Sequence, residues 1–157
     1  MNRDKSRREM RSLVAELSRS EANFELTFFG KFRCRVNDKR ITIHNRRFNK
    51  AEFQALIPTY DYILQPYLKG SYELKASGIL FDAINYQVPL LTTTTPFTRY
   101  YFDLLGDIGL ISETQETLRQ NVLQAVSGLP PARLSHFQQN LFNAREMLDS
   151  LNGAMTI

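Results

Sequence analysis

The chain has 157 residues, 43% hydrophobic and 23% charged, a composition that supports a folded core and excludes a disordered tract. Its one cysteine, Cys34, excludes an intramolecular disulfide, fits a reducing compartment, and stands in no zinc-ligand spacing. The net charge of +4 is concentrated: residues 31–50 hold Lys31, Arg33, Arg35, Lys39, Arg40, Arg46, Arg47 and Lys50 against one acid, Asp38. Such a patch suits phosphates, nucleic acid or anionic lipid, and equally a solvated loop and strand face.

In chain order, Met10, Leu13, Val14 and Leu17 recur at helical spacing and predict a helix over 4–19. Residues 24–29 read as a strand stopped by Gly30, and residues 40–44 as a second, alternating strand. Asn49 is an N-cap for a short helix through Phe53, Leu56 and Ile57, limited by Pro58. Residues 62–65 form a third strand ended by Pro66. Ser77 caps a helix whose inner face is Leu80, Ala83 and Ile84. A fourth strand covers 88–93, with Pro89 near its start. Thr95-Pro96 opens a helix that Gly106 stops.

The fifth strand covers 108–111. Ser112 with Gln115 forms a capping-box pattern for a helix to about Val126. After Gly128-Leu129-Pro130-Pro131, the series Leu134, Phe137, Leu141, Ala144, Leu148 and Leu151 predicts a long amphipathic helix, closed by Asn152-Gly153. Five strands alternating with six helices imply βαβ units. The expected fold is a three-layer α/β/α, Rossmann-like open parallel sheet, with residues 1–157 as one domain. No run approaches the roughly 20 apolar residues needed to cross a bilayer. The basic start is not followed by the apolar run of a secretory leader.

In an open parallel sheet, ligands sit beyond the carboxyl ends of the strands. There the loop after Pro66 delivers Lys75, Ser77 and Gly78 to a helix start whose free N–H groups suit a phosphate. Asp82, one turn on, is placed to accept from ribose hydroxyls. The plain alternative is a capped helix with Asp82 in solvent. Gly30-Lys31 is a turn that either touches a phosphate or simply reverses the chain. Arg46, Arg47 and Phe48 follow the second strand: they either stack on a base and hold an anion, or form a basic loop with Phe48 in the core. His44 and His136 lack companion ligands for a metal. Thr92 to Thr95, and Tyr100, Tyr101 and Phe102, are accounted for by strand propensity and by packing.

The run from Asp61 to Leu91 resembles the donor-site signature of GT-B glycosyltransferases (the glycosyl transferases group 1 family). A strand ending in proline (Tyr62-Ile63-Leu64-Gln65-Pro66) leads to a Ser-Gly pair opening a helix with an acid (Ser77-Gly78-Ile79-Leu80-Phe81-Asp82-Ala83-Ile84). A proline then opens the next strand (Val88-Pro89-Leu90-Leu91). The chain departs from the pattern at Leu74, where a glutamate is frequent, with Glu73 beside it, and at Asp82, where glutamate is more usual.

The resemblance implies the C-terminal, donor-binding half of a two-domain enzyme. Ser77 and Gly78 would face the diphosphate of a UDP-, GDP- or other NDP-sugar, Asp82 the ribose, and Arg47-Phe48 the base. It implies a cytoplasmic role in polysaccharide or glycoconjugate synthesis, at or near the inner face of a membrane. No metal is called for, since the chain has no Asp-x-Asp pair. The acceptor-binding half would be a separate N-terminal domain, so this chain alone should transfer nothing. The family's opening strand would also precede these residues, which would leave the sheet incomplete in its middle and favour dimerisation or local reorganisation. A second reading is a non-catalytic α/β module that uses its basic face for a protein, nucleic-acid or lipid partner.

Overall fold

The computed structural model describes residues 3–29, 34, 36–66 and 78–154. Within them the order is α1 (Arg3–Arg19), β1 (Leu26–Phe29), β2 (Ile41–His44), α2 (Lys50–Leu56) with a 3₁₀ turn at Ile57–Thr59, β3 (Ile63–Gln65), α3 (Gly78–Tyr86), β4 (Leu90–Thr93), α4 (Pro96–Leu105), β5 (Gly109–Ser112), α5 (Gln115–Ser127) and α6 (Pro131–Ala154). The expected α/β class holds. All described strand pairings are parallel, but the five strands form two sheets: β1 with β2, and β3-β4-β5.

Alternation along the strands produces the layers. Leu64, Leu91 and Leu110 join Leu13 and Leu17 of α1, Val122 and Ala125 of α5, and Phe137 of α6 in one cluster. Their sequence neighbours Ile63, Leu90 and Ile111 join Leu80, Ala83 and Ile84 of α3, Phe102 of α4 and Leu141 of α6 in a second. Helices therefore cover both faces of the three-stranded sheet. Its middle strand, β4, is buried throughout, as a parallel strand under two helix layers should be. The smaller sheet shares the first cluster through Phe24 and Leu26.

Two local features fix the ends of these elements. Arg40, counted above in the basic surface, is turned inward: its guanidinium donates to the carbonyls of Ser18 (3.1 Å), Ser20 (2.9 Å) and Ala22 (2.8 Å). These groups close the end of α1, where carbonyls lack helical partners. Gly109 opens β5 against β4: its φ is +153°, and a Cβ there would lie 2.0 Å from the Leu90 carbonyl oxygen. Only glycine allows that approach.

Some boundaries differ from the sequence reading. The cap of α5 is Thr114, boxed with Thr117, rather than Ser112 with Gln115. Strand β5 runs through Ser112, and its hydroxyl accepts a hydrogen bond from Asn121 Nδ2 (2.8 Å) instead. Helix α6 continues through Asn152-Gly153 to Ala154, since one glycine costs a propagating helix only about 1 kcal/mol. Strand β4 begins at Leu90 rather than Val88.

Candidate functional site

The carboxyl ends of β1 and β2 lie side by side, with Phe29 in register with His44. Their rings stack at 5.9 Å. Phe48, just beyond β2, meets Phe29 edge-on at 5.0 Å and His44 at 5.3 Å. Phe53 of α2 and Tyr60 each close on Phe29 at 5.9 Å. Edge-to-face packing of this kind adds to area burial and holds the segment after β2 in place.

Over this aromatic base, the Arg46 guanidinium stands 3.8 Å from the Phe48 ring centre and donates to Glu52 Oε1 (2.9 Å). Glu52 in turn accepts from the Asn49 backbone N–H (2.9 Å), while the Asn49 side chain accepts from the Glu52 N–H (2.9 Å). The predicted Asn49 cap is thus present as a full capping box. Both bonds to Glu52, the backbone one foremost, hold its carboxyl below the usual range. Arg46 is therefore committed. Arg47 is exposed and has no ion pair among the described residues. Phe48 is half-buried, with its edge in the cluster and its face under Arg46.

The second part of the site is the start of α3. Gly78 is its first residue, exposed, with open space where a Cβ would project. Asp82, in the second turn, is half-buried. Burial pushes its carboxyl above the usual range, and the positive charge of Lys50 opposes that rise. Lys50 is the first residue of α2. The charge of Lys50 is thus felt at Asp82, which puts the start of α2 and the start of α3 on the same side of the molecule without an ion pair between them. In the sequence Lys50 is one of eight cations in residues 31–50, and nothing local sets it apart from the others.

Of the predicted site residues, Arg47 and Phe48 follow β2, Gly78 opens α3 and Asp82 lies in its second turn; Lys75, Ser77, Gly30 and Lys31 lie outside the described residues. The threonines at the end of β4 and just beyond it are occupied: Thr92 Oγ1 donates to the Gln65 carbonyl (2.8 Å), Thr94 Oγ1 to the Ser112 carbonyl (3.2 Å), and Thr95 caps α4 with Thr98. Elsewhere, an open groove of about 290 Å³ runs between α1 and α5, lined by Glu9, Met10, Leu13, Glu116, Leu118 and Arg119. Arg119 is engaged there by Glu116 and Glu16. Among the described residues, no three His, Cys, Asp or Glu side chains group to hold a metal. Among the described residues, no helix is long and apolar enough to cross a membrane.

No family model, curated protein or solved structure matches the chain.

Proposed function

We propose that the chain is a donor-binding domain of a GT-B-type glycosyltransferase, taking a nucleotide-diphosphate sugar at the carboxyl ends of β2 and β3. The observation that supports the reading is the half-buried Asp82 near the start of α3, whose carboxyl feels the charge of Lys50 at the start of α2. It sets a basic, aromatic loop on the same side as a helix start with a nearby acid, the combination that a base, a ribose and a diphosphate need together.

The parts divide the work by chemistry. Free N–H groups at the start of α3 carry the positive end of the helix dipole and suit the diphosphate, with Gly78 leaving room for it. Lys50 and Arg47 add positive charge for the same oxygens. Asp82 is an acceptor for the paired hydroxyls of a ribose. The planar Arg46–Phe48 stack offers a surface against which a base can lie. Stabilising a departing diphosphate is what such a site contributes to glycosyl transfer; the general base and acceptor site would belong to a second domain.

The alternative, a broad basic face for a macromolecular partner, loses support from Arg40 and Arg46, both held by internal partners. Calorimetric titration with UDP, GDP and their sugar conjugates, beside the Asp82→Ala variant, tests the proposal. Saturable binding that the variant abolishes is expected and identifies the base. Absence of binding at millimolar nucleotide, or binding equal in both proteins, overturns it.

A further inference from the structure

The open groove of about 290 Å³ between α1 and α5 combines an apolar floor with an unbalanced charge. In the floor, Leu13 and Leu118 are buried and Met10 is half-buried. On the rims, Arg119 is shared between Glu116 of its own helix and Glu16 of α1. Glu9, on the α1 side, has no ion pair among the described residues. Three carboxylates thus stand against one guanidinium, which two of them already hold. Arg8 and Arg11 of α1 are exposed and lie outside the lining. Since the whole chain carries +4, the groove is a local reversal of sign.

Size and sign together select the occupant. A volume near 300 Å³ is the lower limit for a small-molecule site, and this one is open to solvent. It therefore takes one or two side chains from a segment that lies over it. A valley between two helices receives a third by ridge-into-groove packing, with anchors spaced one turn apart. Met10 adds an unbranched, polarisable side chain that fits apolar partners of different shape. Phosphates and acidic segments are disfavoured, because the one cation in the groove is neutralised by Glu16 and Glu116. The unsatisfied charge is negative.

We propose that this groove docks a basic, amphipathic helical segment of a partner protein. An apolar side chain of that segment seats on Met10, Leu13 and Leu118, and lysines or arginines one turn to either side meet Glu9 and Glu116. The apolar anchor supplies affinity by burial, and the charges select the partner and speed its arrival. Arg119 touches neither anchor nor cation; it ties α5 to α1 and fixes the width between the rims. This inference stands independently of the nucleotide-sugar reading.

The test is fluorescence polarisation of a labelled, amidated peptide, Lys-Leu-Ala-Lys-Ala-Leu-Lys-Ala-Leu-Ala-Lys-Lys, titrated with the chain. Saturable binding is expected, weakened about tenfold or more by Glu9→Lys and by Ser12→Lys, which sets a cation at an exposed position of the lining. Both variants should keep the parental melting temperature; if Glu9→Lys does not fold, Ser12→Lys decides. Peptides with each lysine in turn replaced by glutamate complete the cycle: one of them should bind Glu9→Lys as tightly as the original peptide binds the parent. No saturable binding at millimolar peptide, or equal binding by parent and variants, overturns the proposal. So does equal binding of a peptide with alanine for every leucine, which would leave charge alone, or of spermidine, which would mark a small polycation as the occupant. Self-association of the chain that the peptide disperses would mark a second copy as the occupant and overturn it as well.

Discussion

Arg40 grips Asp38 through two bonds, Nε to Oδ1 at 3.0 Å and Nη2 to Oδ2 at 2.8 Å, while its guanidinium lies 4.4 Å from the Phe24 ring centre. The remaining donors reach the carbonyls that end α1. One side chain thus fastens the first helix to the start of β2. Bidentate geometry of this kind is specific to arginine, so Arg40→Lys should lower the melting temperature by several degrees, nearly as much as Arg40→Ala. Circular dichroism melts of the two variants check this.

The same pair sets an acid limit. Hydrogen bonds from Arg40, the side-chain bond foremost, hold the Asp38 carboxyl at about 2. A depressed folded value stabilises the protein above the ordinary carboxylate pKa, and the benefit is lost as pH falls from about 4 towards about 2. Thermal melts of the parent and Asp38→Asn across that range should show a gap that is constant above it and closes below it.

Asp82 carries the opposite sign. Burial raises its carboxyl, with Lys50 opposing, so the ionised form works against folding and stability falls as pH climbs through the carboxylate range. Asp82→Asn should therefore melt higher than the parent at neutral pH and equal it in acid. Its affinity for a nucleotide sugar should drop by about tenfold or more, since the acceptor for charged hydrogen bonding is lost. A gain in stability with a loss of binding marks a functional carboxylate; calorimetry and melts on one preparation read both.

Two glycines with positive φ should respond unequally to alanine. At Gly109 the new Cβ would meet the Leu90 backbone at 2.0 Å, which the β4–β5 pairing cannot relieve, and a loss of more than about 4 kcal/mol is expected. At Gly128, with φ of +98° and open space around it, only backbone strain of about 1–3 kcal/mol applies. Urea unfolding midpoints separate the two.

Thr114 and Thr117 cap α5 reciprocally. Thr114→Ala should cost about 1 kcal/mol, and adding Thr117→Ala should cost less than the sum of the single losses, because both act through one box. Additive losses in a double-mutant cycle would contradict the geometry.

Where local chemistry decides, the sequence was readable. Periodic leucines marked α1, α3 and α6; Asn49 and Thr95-Pro96 marked the starts of α2 and α4; Leu80, Ala83 and Ile84 were assigned to the core and are buried. Ser112 misled because serine at a strand's end and serine at a cap look alike until the bond to Asn121 is known. The inward turn of Arg40 was hidden because its partners lie about twenty residues away in α1 and just after it. The charge of Lys50 felt at Asp82, and the division of five strands into two sheets, depend on tertiary placement that no window of sequence contains. Phe48 reads from the sequence either as core or as a base platform; in the fold it is half-buried, packed T-shaped against Phe29 and covered by Arg46.

Helix α6 has a consequence for how the molecule comes apart. Phe137 and Leu134 belong to the cluster under α1 and α5, while Leu141, Ala144 and Leu148 belong to the cluster under α3 and α4. One rod is therefore a member of both halves of the core. Neither half can loosen without freeing part of the rod, so the two layers share a single cooperative unfolding unit.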